Sequence, residues 1–211
     1  MTRHGTGANR QGEPTLTKAD WAEAALQLIA EAGLRALTVD ALARRLGVTK
    51  GSFYWHFRGR ADLLLNALER WEQRATTEPK AALDAVSDPR RRLELLLDAA
   101  SQPPRARSLY AALANAEGDP IVSQVLNRVA SARIEYLEIC YRDLGLAAPL
   151  ARAKAVFAYA AYRGLLQLAH EAPAALPDDW SAYPGLVRAA LIPSVDAVPR
   201  CRPPGRRAVR S

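Results

Sequence analysis

The chain has 211 residues, 49% of them hydrophobic and 24% charged, which is enough for one large globular domain or two small ones. No uncharged apolar run approaches the length that spans a bilayer, and the stretch MTRHGTGANRQGEPT lacks the apolar segment of an export signal. The two cysteines, Cys140 and Cys201, form neither a disulfide framework nor a pair with metal-binding spacing. We therefore expect a cytoplasmic protein with reduced thiols and without a membrane segment, metal or cofactor.

The net charge of +7 is concentrated at the two ends of the chain. Residues 199–211 contain five arginines and no acidic residue, whereas the long middle part of the chain is close to neutral. A basic excess favours a polyanionic partner such as nucleic acid. The alternative is a basic surface that serves solubility, followed by a disordered arginine-rich tail.

Helical periodicity dominates the sequence, and the alternation typical of strands is nearly absent. The first helix is expected to begin at the N-cap Thr17 and to end at Gly33. Its apolar positions follow the i, i+3, i+4, i+7, i+8 pattern and are Trp21, Ala24, Ala25, Leu28 and Ile29. Residues 1–14 are expected to be a disordered arm, and residues 199–211 a disordered basic tail.

The helices that follow are predicted from caps, glycines and prolines. Three closely spaced ones have the expected limits Thr38 to Gly47, Thr49 to about Phe57, and Ala61 to about Thr77, where Pro79 stops the helix. Five further helices are predicted. The first begins at Pro89, and the next three are expected at Pro103 to Gly118, Pro120 to Asp143 and Pro149 to Glu171. The last is weaker and lies between Asp179 and Ile192, with an interruption at Pro184. We predict an all-α fold of about nine helices, with a head at residues 15–75 and a larger body at residues 76–198.

The segment TVDALARRLGVTKGSFYWHF, residues 38–57, has the spacing of a helix-turn-helix. Ala43 is small where a second helix must approach closely, and Gly47 supplies the positive φ that a tight turn needs. The hydroxyl of Thr49 is expected to cap the second helix of the motif by accepting from the amide of Ser52 or Gly51. Phe53 is then placed to pack back on the first helix of the motif.

Five consecutive ring side chains, Phe53 to Phe57, end this segment, and they cannot all enter one core. Because each helical residue turns about 100° from the last, Phe53 and Phe57 share the buried face and His56 lies at its edge. The outward surface then consists of Lys50, Gly51, Ser52, Tyr54 and Trp55. Such a surface on the second helix of the motif is expected to enter the DNA major groove, where Lys50 donates to guanine. The alternative is a protein contact made by the exposed rings.

The stretches LTVDALARRLGVTKGSFYWHF and RGRADLLLNALERW resemble the TetR family of bacterial transcriptional regulators. The resemblance implies a three-helix DNA-binding head, and a helical body that dimerises and binds a small-molecule effector, which releases a palindromic operator. It also implies DNA contacts from Thr38, Thr49, Lys50, Gly51, Ser52, Tyr54, Trp55, His56 and Arg60. Arg60 replaces the usual lysine, and Asp40 stands where the tetracycline-repressor branch has a base-contacting arginine, so specificity there must differ.

The body is expected to provide the dimer interface and the effector pocket. In the family the last two long helices pair with their copies, which here are residues 149–171 and 179–192. One side of the helix at residues 149–171 carries small or apolar side chains: Ala151, Ala155, Ala158 and Leu165. These side chains could permit close approach between two copies, or they could belong to the core of one chain. An apolar or flat ligand could contact four ring side chains, although rings at helical spacing are more often core: Tyr110, Tyr136, Phe157 and Tyr162.

Three functions are weighed on the sequence alone. The first is a ligand-responsive repressor that binds double-stranded operator DNA as a homodimer. An enzyme is disfavoured, because the chain has three histidines, no paired catalytic residues and no nucleotide or metal motif. The remaining alternative is a helical adaptor that uses its exposed aromatic helix to contact a protein.

Overall fold

The computed structural model describes residues 16–103, 108–116 and 118–194, which form helices and no strand. Within these ranges the helices are α1 Lys18–Ala32, α2 Val39–Leu46, α3 Lys50–Tyr54, α4 Arg60–Glu72, α5 Glu78–Asp84, α6 Pro89–Ala100, α7 Ser108–Ala114, α8 Pro120–Asp143, α9 Ala148–Glu171 and α10 Tyr183–Leu191. The predicted all-α fold is confirmed. The predicted arm and basic tail lie outside the described residues. Helices α1–α4 are called the head below, and α5–α10 the body.

The starts of the first two helices follow the predicted caps. The side chains of Thr17 and Asp20 form a capping box at α1, and the bond from the Thr17 backbone amide lowers the pKa of the Asp20 carboxyl. At α2 the hydroxyl of Thr38 accepts from the amide of Ala41 at 3.1 Å. Helix α2 ends at Gly47, whose φ of 68° lies in the left-handed region that the tight turn was predicted to need.

Helix α3 differs from the prediction at both ends. The Thr49 hydroxyl makes no capping bond, because the amide of Ser52 donates instead to the carbonyl of Thr49 at 3.1 Å. The helix ends at Tyr54, three residues before the expected limit at Phe57. The amides of His56 and Phe57 both donate to the carbonyl of Phe53, at 2.9 and 3.0 Å, so the last turn combines a 3₁₀ bond with an α-helical bond.

Pro79 does not stop the fourth helix as predicted. The chain continues from α4 through a π-helical turn, Gln73–Thr77, into α5, with Pro79 in the first turn of α5. Pro79 has no N–H for the carbonyl four residues earlier, that of Ala75. The guanidinium of Arg133 on α8 donates to this carbonyl at 2.9 Å and to the Thr76 hydroxyl at 3.3 Å. A side chain from the body thus bonds the carbonyl that Pro79 cannot, and the helix passes the proline.

Replacing Arg133 by methionine is expected to destabilise the fold by about 1–2 kcal/mol, because a half-buried carbonyl loses its donor. In a Pro79→Ala background the loss should be smaller, since the introduced alanine supplies the missing backbone N–H. Urea unfolding of the two single variants and the double variant measures this coupling. Additive losses would show that Arg133 does not compensate for Pro79.

The main hydrophobic core crosses the predicted boundary between head and body. Buried residues of the head, such as Trp21, Leu64 and Trp71, form one cluster with Leu113 of α7 and Val125 of α8. A second cluster lies wholly in the body, among α6, α8, α9 and α10. The division at residues 76–88 remains a prediction, and the buried core does not follow it.

The alanines of α9 predicted for the dimer interface lie in the core of one chain. Ala151 and Ala155 are fully buried and Ala158 is nearly so, all within the body cluster. Their small side chains allow α9 to pack closely along α8 in the same chain, which was the alternative for this stripe. Leu165 is half-buried. The expectation that the alanines face a second copy is therefore wrong.

The last helix begins later than expected. Helix α10 starts at Tyr183, so Pro184 lies in its first turn instead of interrupting it. A proline is tolerated there because the first amides of a helix have no intrahelical acceptor. Among the described residues, none of the helices combines the length and apolar character needed to cross a bilayer.

Candidate functional site

Two of the five consecutive rings anchor α3 in the core of the head. Phe53 is fully buried and Phe57 is 3% exposed, and their ring centroids lie 5.5 Å apart. Trp21 of α1 meets Phe53 edge-on at 5.4 Å. These contacts fix the rotation of α3 about its axis, as the helical period predicted.

The other rings face outward from the head. Trp55 is 88% exposed and Tyr54 is 63% exposed, while His56 is half-buried at the edge between the two sets. The polar residues predicted for DNA contact are exposed except Ser52, which is half-buried: Thr38, Thr49, Lys50 and Gly51. The structure therefore brings eight of the nine predicted residues into the helix-turn-helix. These eight, without Arg60, are called the reading surface.

Lys50 has a partner that the sequence did not reveal. Its ammonium forms an ion pair with the carboxylate of Asp40 on α2, and both side chains are more than half exposed. An exposed pair of this kind contributes about 0–1 kcal/mol, so a phosphate or a guanine can displace it at little cost. Asp40 therefore partly neutralises the cation at the centre of the reading surface.

The Arg60 guanidinium is engaged within the protein, and its predicted DNA contact stays a prediction. Its guanidinium donates to the carbonyls of Leu37 at 2.8 Å and Leu34 at 3.2 Å, in the link between α1 and α2. Its remaining nitrogen lies 3.9 Å from a carboxylate oxygen of Asp119, at the start of α8. Two backbone carbonyls of the head and the Asp119 carboxylate of the body thus bind the Arg60 side chain, which the family resemblance had assigned to DNA.

Comparison with known proteins identifies the head. Residues 22–67, from α1 to α4, match the model of the bacterial regulatory proteins of the tetR family. This part of the chain is therefore similar to the TetR family. The chain is 43% identical over 42 residues to the HTH-type transcriptional regulator SrpR of Pseudomonas putida, and this match covers 20% of each chain. The chain thus spans about a fifth of the length of this curated relative.

Solved structures match most of the fold of this chain. A transcriptional regulator from Saccharomonospora viridis in complex with choline has a TM-score of 0.68 and 19% identity, over 82% of this chain and 93% of that one. FadR from Bacillus subtilis in complex with stearoyl-CoA has a TM-score of 0.63 and 16% identity, over 83% of this chain and 98% of that one. At this identity the likeness shows the fold alone.

The four rings predicted for an effector pocket do not meet. Tyr110 and Tyr162 are neighbours, with ring centroids 6.0 Å apart. Tyr136 lies in the second core cluster, where its hydroxyl donates to Asp84 at 2.9 Å. Phe157 is 62% exposed on the outer face of α9. Spacing along a helix placed all four in the body but could not show which helix face meets which neighbour.

The centre of the body is filled by stacked rings and guanidinium groups. The Tyr110 hydroxyl shares a hydrogen bond with Tyr159 at 2.9 Å and accepts another from Arg163 at 2.9 Å. Arg133 lies over the Tyr110 ring at 5.6 Å. Burial, with the bond to Tyr159, raises the pKa of Tyr110 above its ordinary value, so its hydroxyl stays protonated. This cluster ties α7, α8 and α9 together.

A large cleft lies instead between the head and the body. It has a volume of about 1260 Å³ and an exposed polar rim formed by Glu31, Arg35, Asn115, His170 and Asp178. Its floor is buried or half-buried and mostly apolar, and includes Leu34, Ala111, Ala112, Leu166, Ala169, Leu176 and Trp180, with Arg60 at one side. This space is called the head–body cleft.

Sequence reasoning missed the head–body cleft. Its walls come from the end of α1, the start of α4, α7, the start of α8, the end of α9 and the segment before α10, and no short motif connects them. In the described parts of the chain, no three His, Cys, Asp or Glu side chains are grouped to hold a metal ion.

Proposed function

We propose that this protein is a sequence-specific transcriptional regulator that binds double-stranded DNA through the reading surface. The observation that carries the proposal is the exposure of Tyr54 and Trp55 beside Lys50, on a helix that buried Phe53 and Phe57 hold in place. Large exposed rings on a rigid helix-turn-helix suit contacts with phosphates and base edges in the major groove. The match of residues 22–67 to the tetR family model supports a transcription factor rather than an enzyme.

The functional unit is proposed to be a homodimer, joined by a face of α9 different from the one predicted. Every third or fourth residue along that face is exposed and uncharged, and we call these residues the α9 stripe: Leu150, Ala153, Phe157, Ala160, Ala161, Gly164 and Leu168. A continuous apolar face of this length on an outer helix suits a contact with another chain. Two copies would place two reading surfaces for the half-sites of a palindromic operator, about 34–36 Å apart.

Control by a small-molecule effector is the remaining part of the proposed function. The S. viridis regulator was crystallised with choline and the B. subtilis FadR with stearoyl-CoA, two ligands of very different size and charge. The shared fold therefore supports effector binding by the body without naming the ligand. Repression, with release of the operator when the effector binds, is proposed from the resemblance of the head to the TetR family.

Salt dependence of DNA binding tests this function. With about six to ten phosphate contacts, affinity for a duplex from the region upstream of its gene should fall about 10³- to 10⁵-fold between roughly 50 and 200 mM salt. Fluorescence anisotropy with the full chain measures this slope. A scrambled duplex of equal length is the control and should bind more weakly at every salt concentration. Equal affinity for both duplexes, or no salt dependence, would refute sequence-specific DNA binding and favour the helical adaptor.

A further inference from the structure

The head–body cleft has the layout of a small-molecule site. A polar rim surrounds an apolar floor, and the walls come from several elements, which is how ligand pockets are usually built. The rings predicted for an effector, by contrast, are packed against one another or lie on the outer surface. The cleft is therefore a part of the described chain that a ligand could enter without displacing core side chains.

Two of the acidic groups around the cleft already have partners. The carboxylate of Glu31 accepts from both terminal nitrogens of Arg45, at 2.6 and 2.7 Å. Asp119 accepts from the amide of Ile121, at 3.0 Å, and so caps α8. These bonds leave little capacity for a ligand cation at either carboxylate.

The cation nearest the floor is also engaged. Arg60 donates to two backbone carbonyls and faces Asp119 across the cleft. Arg35 and His170 are exposed on the rim, where water solvates them. An ion that reached the floor would lose its hydration without gaining a free counter-charge there, which is unfavourable.

We propose that the head–body cleft binds an uncharged, largely apolar small molecule. Its apolar part would lie on the floor against Leu166 and Trp180, and its polar end would point to the rim. The edge-on contact of Trp180 with Tyr183, at 4.7 Å, holds the indole at this side of the cleft. The volume of about 1260 Å³ admits a molecule of drug size.

A ligand in this cleft touches the head directly, which gives it a route to control DNA binding. The 3.9 Å ion pair between Arg60 and Asp119 joins the start of α4 to the start of α8 across the cleft. A molecule between these walls would change their spacing and hence the orientation of the head. This consequence rests on the proposed function, whereas ligand binding itself does not.

The test uses two fluorescent probes that differ by one charged group. N-phenyl-1-naphthylamine is neutral, and 8-anilino-1-naphthalenesulfonate carries a sulfonate on the same two ring systems. Titrated into the full chain without DNA, the neutral probe should bind at least about tenfold more tightly. Equal or tighter binding of the sulfonate, or no binding of either probe, would overturn the proposal.

Filling variants locate the bound probe. Ala112→Phe on α7 and Ala169→Phe on α9 each place a ring in the cleft and should weaken neutral-probe binding about tenfold or more. Ala132→Phe, at an exposed site on α8 away from the cleft, is the matched control and should leave affinity unchanged. Using two filling sites protects the test if one variant misfolds, which circular dichroism detects. Trp180→Phe should reduce energy transfer from tryptophan to the probe.

The α9 stripe is the competing place for an apolar probe. If Phe157→Glu abolishes probe binding and both filling variants leave it intact, the probe lies on the stripe and the cleft proposal fails. If the cleft binds the neutral probe but the chain has no affinity for DNA, the proposed function fails and the cleft proposal stands. If the chain binds neither the neutral probe nor DNA, both proposals fail.

Discussion

Replacing Lys50 and Tyr54 together by alanine is expected to lower the affinity for specific DNA about 100-fold or more. Each is exposed on the reading surface, and a good contact with a base or phosphate contributes about 1–3 kcal/mol. Neither side chain supports the core, so the melting temperature should change little. Fluorescence anisotropy with specific and scrambled duplexes measures the loss, which should be larger for the specific one. Unchanged affinity would show that α3 does not read DNA.

Two single variants give this experiment its controls. Asp40→Asn removes the carboxylate that pairs with Lys50 and is expected to raise DNA affinity about fivefold, an effect of ~1 kcal/mol. Lys80→Ala removes an exposed cation of α5 that pairs with Asp84 and should leave affinity nearly unchanged. Net charge alone would also give opposite effects at Asp40 and Lys50. An unchanged affinity of Lys80→Ala, which alters the charge by the same amount as the loss of Lys50, therefore shows that the position of Lys50 matters.

Replacing Phe157 by glutamate is expected to convert the proposed dimer into a monomer of 23.0 kDa at micromolar concentration. Phe157 is 62% exposed in the single chain and lies at the middle of the α9 stripe. Two carboxylates introduced into an apolar interface lose their hydration without a partner, which costs several kcal/mol. Light scattering after size-exclusion chromatography measures the mass. The variant should also lose most of its affinity for a two-half-site operator, since each monomer can occupy one half-site.

A matched control separates the interface from a general effect of an added charge. Leu65 on α4 is also an exposed apolar residue, but it lies in the head, away from the α9 stripe. Leu65→Glu should therefore keep the mass of the dimer. If Phe157→Glu remains dimeric while its helix content is unchanged, the α9 stripe is not the interface.

Local features of the head could be predicted from neighbouring residues. The caps at Thr17 and Thr38, the left-handed Gly47 and the separation of buried Phe53 from exposed Trp55 all depend on helical geometry within a few residues. The helical period sorts such side chains whatever surrounds them. For this reason the helix-turn-helix and the exposure of its reading surface were predicted correctly, apart from the end of α3 and the cap by Thr49.

Features that depend on distant residues were not predictable in the same way. Whether Pro79 ends a helix depends on Arg133, whose bond to the Ala75 carbonyl joins residues 58 positions apart. Whether Arg60 reaches DNA depends on the carbonyls and the carboxylate that bind its guanidinium. A residue type and its position in a motif leave both outcomes open, because they do not specify which partners are within reach.

The sequence by itself determined that the protein is all-helical and which side chains the head exposes, because both follow from short-range periodicity. The tertiary structure alone decided which face of α9 is free. The stripe of Ala151, Ala155 and Ala158 permits close packing against any helix. In this chain α8 packs against α9, the alanines are buried, and Phe157 stays exposed. The tertiary structure also decided that an open cleft lies between head and body, because the walls of that cleft meet only when distant parts of the chain pack together.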